Sequence, residues 1–148
     1  VRLEVVHGPN LNLLGDREPD MYGGLTLSEV NAAIRVEADT LGVEVGTYQS
    51  NHEGALIDRI QDTAGAAHGF VVNAGGYAHT SVALRDALVA VSRPFVEVHM
   101  SNTYAREAFR HESLLAPVAV GTVGGFGARS YTLALRGLVE YLEPSRGR

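Results

Sequence analysis

Apolar residues along this chain switch between two rhythms. Val1, Leu3, Val5 and Val6 open it as a β-branched run, the mark of a buried strand. The stretch HGPNLNLLGDREPDMYGG, residues 7–24, then loses all periodicity for roughly eighteen residues, long for a connection inside a compact domain and typical of a loop that serves function or is disordered. Thr26 followed by Glu29 forms a capping box, and Leu27, Val30, Ile34, Ala38 and Leu41 follow at helical spacing up to Gly42, where a C-terminal glycine belongs. Residues 43–48 alternate as a second strand and run into a polar loop, residues 49–53. Leu56, Ile57, Ile60 and Ala64 predict a helix over 54–67. A third strand over 70–74 breaks at Gly75-Gly76. Thr80 or Ser81 caps the helix carrying Val82, Leu84, Leu88 and Val91, which ends before Arg93-Pro94. A fourth strand covers 95–99 and a short polar helix 104–110. A last strand over 118–123 and glycine-rich residues 124–127 lead to a closing helix with Tyr131, Leu133, Leu135, Leu138 and Leu142.

Strands alternating with helices imply right-handed crossovers and a parallel sheet covered on both faces. Five strands suggest an α/β, flavodoxin-like three-layer sandwich, in which ligands bind beyond the carboxyl ends of the strands. Polar residues collect at those ends: Asn10 after the first strand, Asn73 to Ser81 after the third, His99 to Ser101 after the fourth. With 148 residues and no internal repeat or linker, the chain fits a single domain, residues 1–148, with a flexible lid at about 16–24 and a loose tail at about 144–148.

Composition narrows the chemistry. The net charge is -5 without any basic cluster, which disfavours a nucleic-acid partner and favours small-molecule work. No apolar run approaches the roughly 18 residues of a membrane span, and no leader pattern opens the chain, so a cytoplasmic location without membrane contact is expected. Cysteine is absent, which excludes thiol nucleophiles and thiolate ligands. All 12 basic residues are arginine, so no lysine can form a Schiff base or complete a Walker loop.

Three groups of residues could carry a reaction. Tyr22 and Arg17 lie in the irregular stretch, where a mobile flap would bring phenol and guanidinium over a site. A tyrosine ionises near pH 10, and bringing it to neutrality takes roughly 4 kcal/mol. A nearby guanidinium lowers such a pKa by about one to three, so Arg17 would need water exclusion or a second cation, such as Arg106 or Arg110. Alone, the pair reads more readily as a tyrosine that merely packs the loop. Asn73-Ala74-Gly75-Gly76-Tyr77-Ala78-His79-Thr80-Ser81 sets an amide, an imidazole and two hydroxyls at a strand-to-helix turn, where backbone N–H groups favour an anion. A tight turn explains its glycines and Ser81 but not Asn73 and His79. Glu97 and His99 fall on one face of a strand. A carboxylate so placed raises imidazole basicity and fixes its tautomer, making a general acid for a leaving hydroxyl, although a simple buried ion pair has the same pattern. His79 and His99 lack a ligand-spaced cluster around them, which argues against metal.

GPNLNLLGDREPDMYG, QSNHEG, NAGGYAHTSVALRDA, EVHMSN, AREAFR, GFG and YTLAL together resemble the type II 3-dehydroquinate dehydratases, over roughly residues 7–137. The resemblance implies a flavodoxin-like subunit assembled as four trimers into a homododecamer. It implies anti elimination of water from 3-dehydroquinate through an enolate, giving 3-dehydroshikimate in the shikimate pathway of aromatic amino acid biosynthesis, with no metal or organic cofactor. The type I enzymes use a lysine imine, which this chain cannot form. Carried over residue by residue, Tyr22 is the base and Arg17 lowers its pKa. Asn10 holds a water at the enolate oxygen, and His99, oriented by Glu97, protonates the departing hydroxyl. Asn73, His79, Ser101 and Arg110 bind the substrate's hydroxyls and carboxylate, helped by the Met100 and Ser101 amides. Asp86 reaches a neighbouring subunit's site. The chain departs from the family pattern at His7, commonly Asn, at Glu112, usually His, and at Thr103-Tyr104, frequently Val-His.

Overall fold

β1 (Arg2–His7) pairs with a strand on each side. Its left neighbour is β2 (Glu44–Gln49), and to its right come β3 (Gly69–Asn73), β4 (Phe95–His99) and β5 (Gly121–Gly124). All four pairings are parallel, giving the order β2-β1-β3-β4-β5. The computed structural model describes residues 1–16 and 24–143, so the expected tail and nearly all of the expected lid lie outside the described residues.

Among the described residues, four α-helices cover this sheet, two on each face: α1 (Leu27–Leu41), α2 (Glu53–Thr63), α3 (Val82–Val91) and α4 (Arg129–Leu142). Successive strand residues face opposite ways, so each strand feeds both layers. Leu3, Val5, Val71, Val96 and Val98 pack with Val30, Ile34, Leu135 and Leu138 from α1 and α4. Val6, Phe70, Val72 and Phe95 pack with Leu56, Ile60, Leu84 and Leu88 from α2 and α3. Complete burial of each such side chain contributes roughly 1.5–3 kcal/mol.

The helix boundaries follow local chemistry. Thr26 and Glu29 form the expected reciprocal capping box, and Gly42 ends α1 in the left-handed region, at φ 71°. At α3 it is Ser81, not Thr80, that caps, accepting from the Leu84 N–H while also donating to Glu53. α2 is shorter than its periodicity predicts, stopping at Thr63, whose hydroxyl donates back to the Arg59 carbonyl. The predicted helix over 104–110 is instead two 3-10 turns, Thr103–Ala105 and Ala108–Arg110, separated by extended backbone at Arg106. The Asn102 side chain starts the first by accepting from the Tyr104 N–H. β5 is confined to Gly121–Gly124, because Ala116–Val118, carrying Pro117, forms a 3-10 turn before it.

Candidate active site

The switch in strand order lies between β1 and β3, and the loops after β1, β3 and β4 meet there. Register fixes what each contributes. His7 stands beside Gln49 on one side and Asn73 on the other, while Glu97 stands beside Val72 and His99 beside Gly124. His7 and Asn73 share the parity of Val5 and Val71 and turn toward α1 and α4. Glu97 and His99 share the parity of Phe95 and lie on the other face.

The first loop is held close to the third. Gly8 donates its N–H to the Asn73 carbonyl at 2.7 Å, and a Cβ at Gly8 would stand 2.4 Å from the Ala74 carbonyl oxygen. Only glycine permits that approach. Asn10 follows in the left-handed region at φ 69°, its N–H donating to Asn51 Oδ1 at 2.9 Å. Gln49 Nε2 reaches the Gly8 carbonyl at 3.1 Å and Asn51 Oδ1 at 3.2 Å, so the loop after β2 braces the one after β1. Gly75, at φ 57°, turns the chain after β3, and its N–H donates to Asn73 Oδ1 at 3.1 Å.

These loops enclose a cavity of about 130 Å³ with Asn10, Asn73, His79, His99, Met100, Ser101, Arg106 and Arg110 in its wall. A wider cavity of about 480 Å³ shares His79, His99, Thr103 and Arg110 with it and extends past Glu97 and Ser113. His99 Nε2 lies 2.9 Å from Glu97 Oε2, as the strand periodicity predicts. The carboxylate can only accept, so Nε2 carries hydrogen and the ring's Nδ1 is its remaining acid–base position.

Glu97 is 2% exposed. A carboxylate there is costly unless satisfied, and Ser113 helps to satisfy it, donating to the same Oε2 at 2.6 Å. The Ser113 oxygen in turn accepts from the Leu115 and Ala116 N–H groups at 3.0 and 3.1 Å, which leaves its proton for Glu97. This third member, from a loop without periodicity, was not legible in the sequence.

His79 Nδ1 donates to the Glu112 backbone carbonyl at 2.6 Å, leaving Nε2 as its other acid–base position. Its contact is with the main chain, so the departure at Glu112 leaves that hydrogen bond intact. The His79 and His99 rings stack at 5.9 Å between centroids. Arg106 Nη1 donates to Ser101 Oγ at 3.3 Å, and Arg110 Nε donates to Glu107 Oε1 at 3.0 Å. The backbone N–H of Glu107 and the Arg110 guanidinium hold the Glu107 carboxyl below its ordinary range. Two guanidiniums at the wall of a small polar cavity suit an anionic ligand such as a carboxylate or a phosphate.

The cavity wall thus gathers Asn10, Asn73, His79, His99, Met100, Ser101 and Arg110, with Glu97 behind His99. Met100 keeps its side chain in the core beside α4, which leaves its main chain as the part available to a ligand. Asp86 is exposed on α3 and lines neither cavity of its own chain. Arg17 and Tyr22 lie outside the described residues.

Behind the cavity, His7 and Tyr131 are buried at 0% and 1% exposure and hydrogen-bonded to each other at 2.8 Å. Burial lowers the His7 pKa to about 4 against an opposing bond to Asn31, and burial raises that of the Tyr131 phenol. Both are neutral at physiological pH.

Residues 1–139 match the family described as Dehydroquinase class II. A 3-dehydroquinate dehydratase of Gloeothece citriformis is 59% identical over 138 residues, covering 93% of this chain and 91% of the relative. One of Synechocystis sp. is 58% identical, again covering 93% and 91%. A solved type II dehydroquinase from Butyrivibrio crossotus superposes at a TM-score of 0.91 and 43% identity, covering 93% of this chain and 97% of that one. Strand order, loop architecture and near-complete matches of sequence and structure agree: this chain belongs to the class II dehydroquinase family.

Proposed function

We propose that this protein is a 3-dehydroquinate dehydratase, a hydro-lyase of the shikimate pathway that converts 3-dehydroquinate to 3-dehydroshikimate. The observation that carries the reading is the imidazole–carboxylate pair. His99 is held through Nε2 by a buried Glu97 at the wall of a cavity with two arginines, the arrangement needed to protonate a leaving hydroxyl on an anionic substrate.

In this reading Tyr22, ionised with the help of Arg17, removes a proton alpha to the substrate ketone. The C–H electron pair moves into an enolate, whose oxygen is stabilised by a water held on Asn10. The enolate then re-forms the carbonyl, and the carbon–oxygen bond beta to it breaks. His99, as imidazolium, gives its Nδ1 proton to the departing hydroxyl, so water leaves and a conjugated enone remains. Glu97 holds the cation during that transfer. Asn73, His79, Ser101 and Arg110, with the Met100 and Ser101 backbone amides, bind the hydroxyls and carboxylate. No step calls for a metal or an organic cofactor. Asp86 serves a neighbouring subunit's site within a trimer, four trimers form a homododecamer, and the enzyme works in the cytoplasm.

The direct test follows the enone by ultraviolet absorbance on purified protein, with and without chelator. A chelator-resistant signal that collapses in Tyr22→Phe and His99→Ala is expected. Full turnover in either variant with its fold preserved would sink the assignment of base or acid. Light scattering tests the assembly, and a fully active monomer would refute the shared-site role of Asp86.

A further inference from the structure

Asn73 sits in the cavity wall, yet its side chain also ends a chain of hydrogen bonds that runs backward into the core. Asn73 Nδ2 lies 2.8 Å from the Tyr131 hydroxyl. That hydroxyl lies 2.8 Å from His7 Nδ1. His7 Nε2 lies 2.7 Å from Asn31 Oδ1 on α1.

The direction of every bond follows from one backbone amide. The Gly75 N–H can only donate, so it holds Asn73 Oδ1, and the carboxamide must turn its NH₂ toward Tyr131. Tyr131 oxygen accepts that hydrogen, and its own proton is directed at His7 Nδ1. Nδ1 is then the unprotonated nitrogen, and Nε2–H donates to Asn31. The opposite tautomer would aim two donors at the phenol oxygen and strand the phenol proton in a site 1% exposed, where an unmade hydrogen bond is costly.

We propose that His7 and Tyr131 are positioning residues, which hold the Asn73 carboxamide in a single orientation at the cavity through this hydrogen-bond chain of fixed polarity. The inference rests on the reading of Asn73 as a substrate-binding residue. The chain spends one N–H and one lone pair of the carboxamide on the protein, leaving one donor and one acceptor to a ligand hydroxyl. Without an acceptor at position 7, the Tyr131 proton competes for Asn73 Oδ1. The carboxamide can satisfy it only by flipping its NH₂ against the Gly75 N–H. An Asn at position 7 keeps the acceptor, since its Oδ1 reaches the place of the imidazole Nδ1.

The test has a spectroscopic and a kinetic arm. Nitrogen-15 spectra of the histidine-labelled wild-type enzyme at neutral pH should show His7 as the single Nε2–H tautomer. An Nδ1–H tautomer or a rapid average would overturn the proposal without any variant having to fold. In steady-state kinetics, H7F and Tyr131→Phe should raise KM for 3-dehydroquinate about tenfold while kcat changes much less, the size expected for one disrupted buried hydrogen bond. H7N should restore most of the KM. Wild-type KM in a folded H7F would overturn the proposal, as would an equal loss in H7F and H7N. Asn73→Ala separates the two levels. A raised KM there with wild-type KM in H7F refutes the positioning role alone, whereas an unchanged KM in Asn73→Ala refutes the reading of Asn73 and the proposal with it.

Discussion

Acidification should cost this protein stability through His7, by an amount that follows from its burial. The imidazole titrates near 6.5 when exposed and near 4 in the fold, with burial as the main cause. Between those values the unfolded chain binds a proton that the native chain refuses, so stability falls as pH drops. Above the upper value both states are neutral and His7 contributes no slope; below the lower value both are protonated and the slope ends. The whole window is worth about 3 kcal/mol, and about 2 kcal/mol of it is lost between about pH 7 and pH 5. Urea unfolding of wild type and H7N by far-ultraviolet circular dichroism, at one protein concentration, isolates the effect. The other five histidines are present in both proteins and cancel in the difference. Wild type should lose about 2 kcal/mol more than H7N over that interval. Equal losses would mean that His7 is not held neutral in the native state, and the polarity argued for its hydrogen bonds would fail as well.

Three further outcomes are expected. Glu97→Gln keeps the shape beside His99 but removes the charge that sustains an imidazolium, so kcat should fall about a hundredfold or more with the fold intact, as read by the enone assay. Ser113→Ala leaves Glu97 with one donor fewer and strands the Leu115 and Ala116 N–H groups; thermal unfolding should register a loss of about 1–3 kcal/mol. Two glycines should respond oppositely to alanine in chemical denaturation. Gly8→Ala forces a Cβ against the Ala74 carbonyl oxygen and should destabilise by about 1–3 kcal/mol. Gly137→Ala, in α4 with no atom within 4 Å of the new Cβ, should stabilise by up to about 1 kcal/mol.

Ser113 also explains how β4 tolerates a carboxylate in an apolar strand. A lone Glu97–His99 contact would leave the buried anion with one donor, and the pair would be marginal. The serine adds a second donor whose direction is dictated by two main-chain amides, so the buried Glu97 carboxylate accepts from both His99 and Ser113.

Much of this protein is determined by short-range chemistry and was legible from the residues alone. Period-two and period-3.6 patterns mark five strands and four helices, and Thr26, Glu29 and Gly42 mark the limits of α1 because capping depends on neighbours a few residues apart. The Glu97–His99 pair was legible for the same reason, since two residues apart on a strand means one face. Motifs spaced along nearly the whole chain identified the family. The two 3-10 turns where a helix was expected show the limit of that reading, because the Asn102 side chain and the extended Arg106 backbone decide the local path. What only the tertiary structure decided joins residues far apart in sequence. Ser113 reaches Glu97 across 16 positions, His79 meets the main chain of Glu112 across 33, and His7 meets Tyr131 across 124. No periodicity records such pairs. They exist because parallel strands in register bring the ends of β1, β3 and β4 to one edge, where buried polar groups must find partners among whatever the fold has placed beside them.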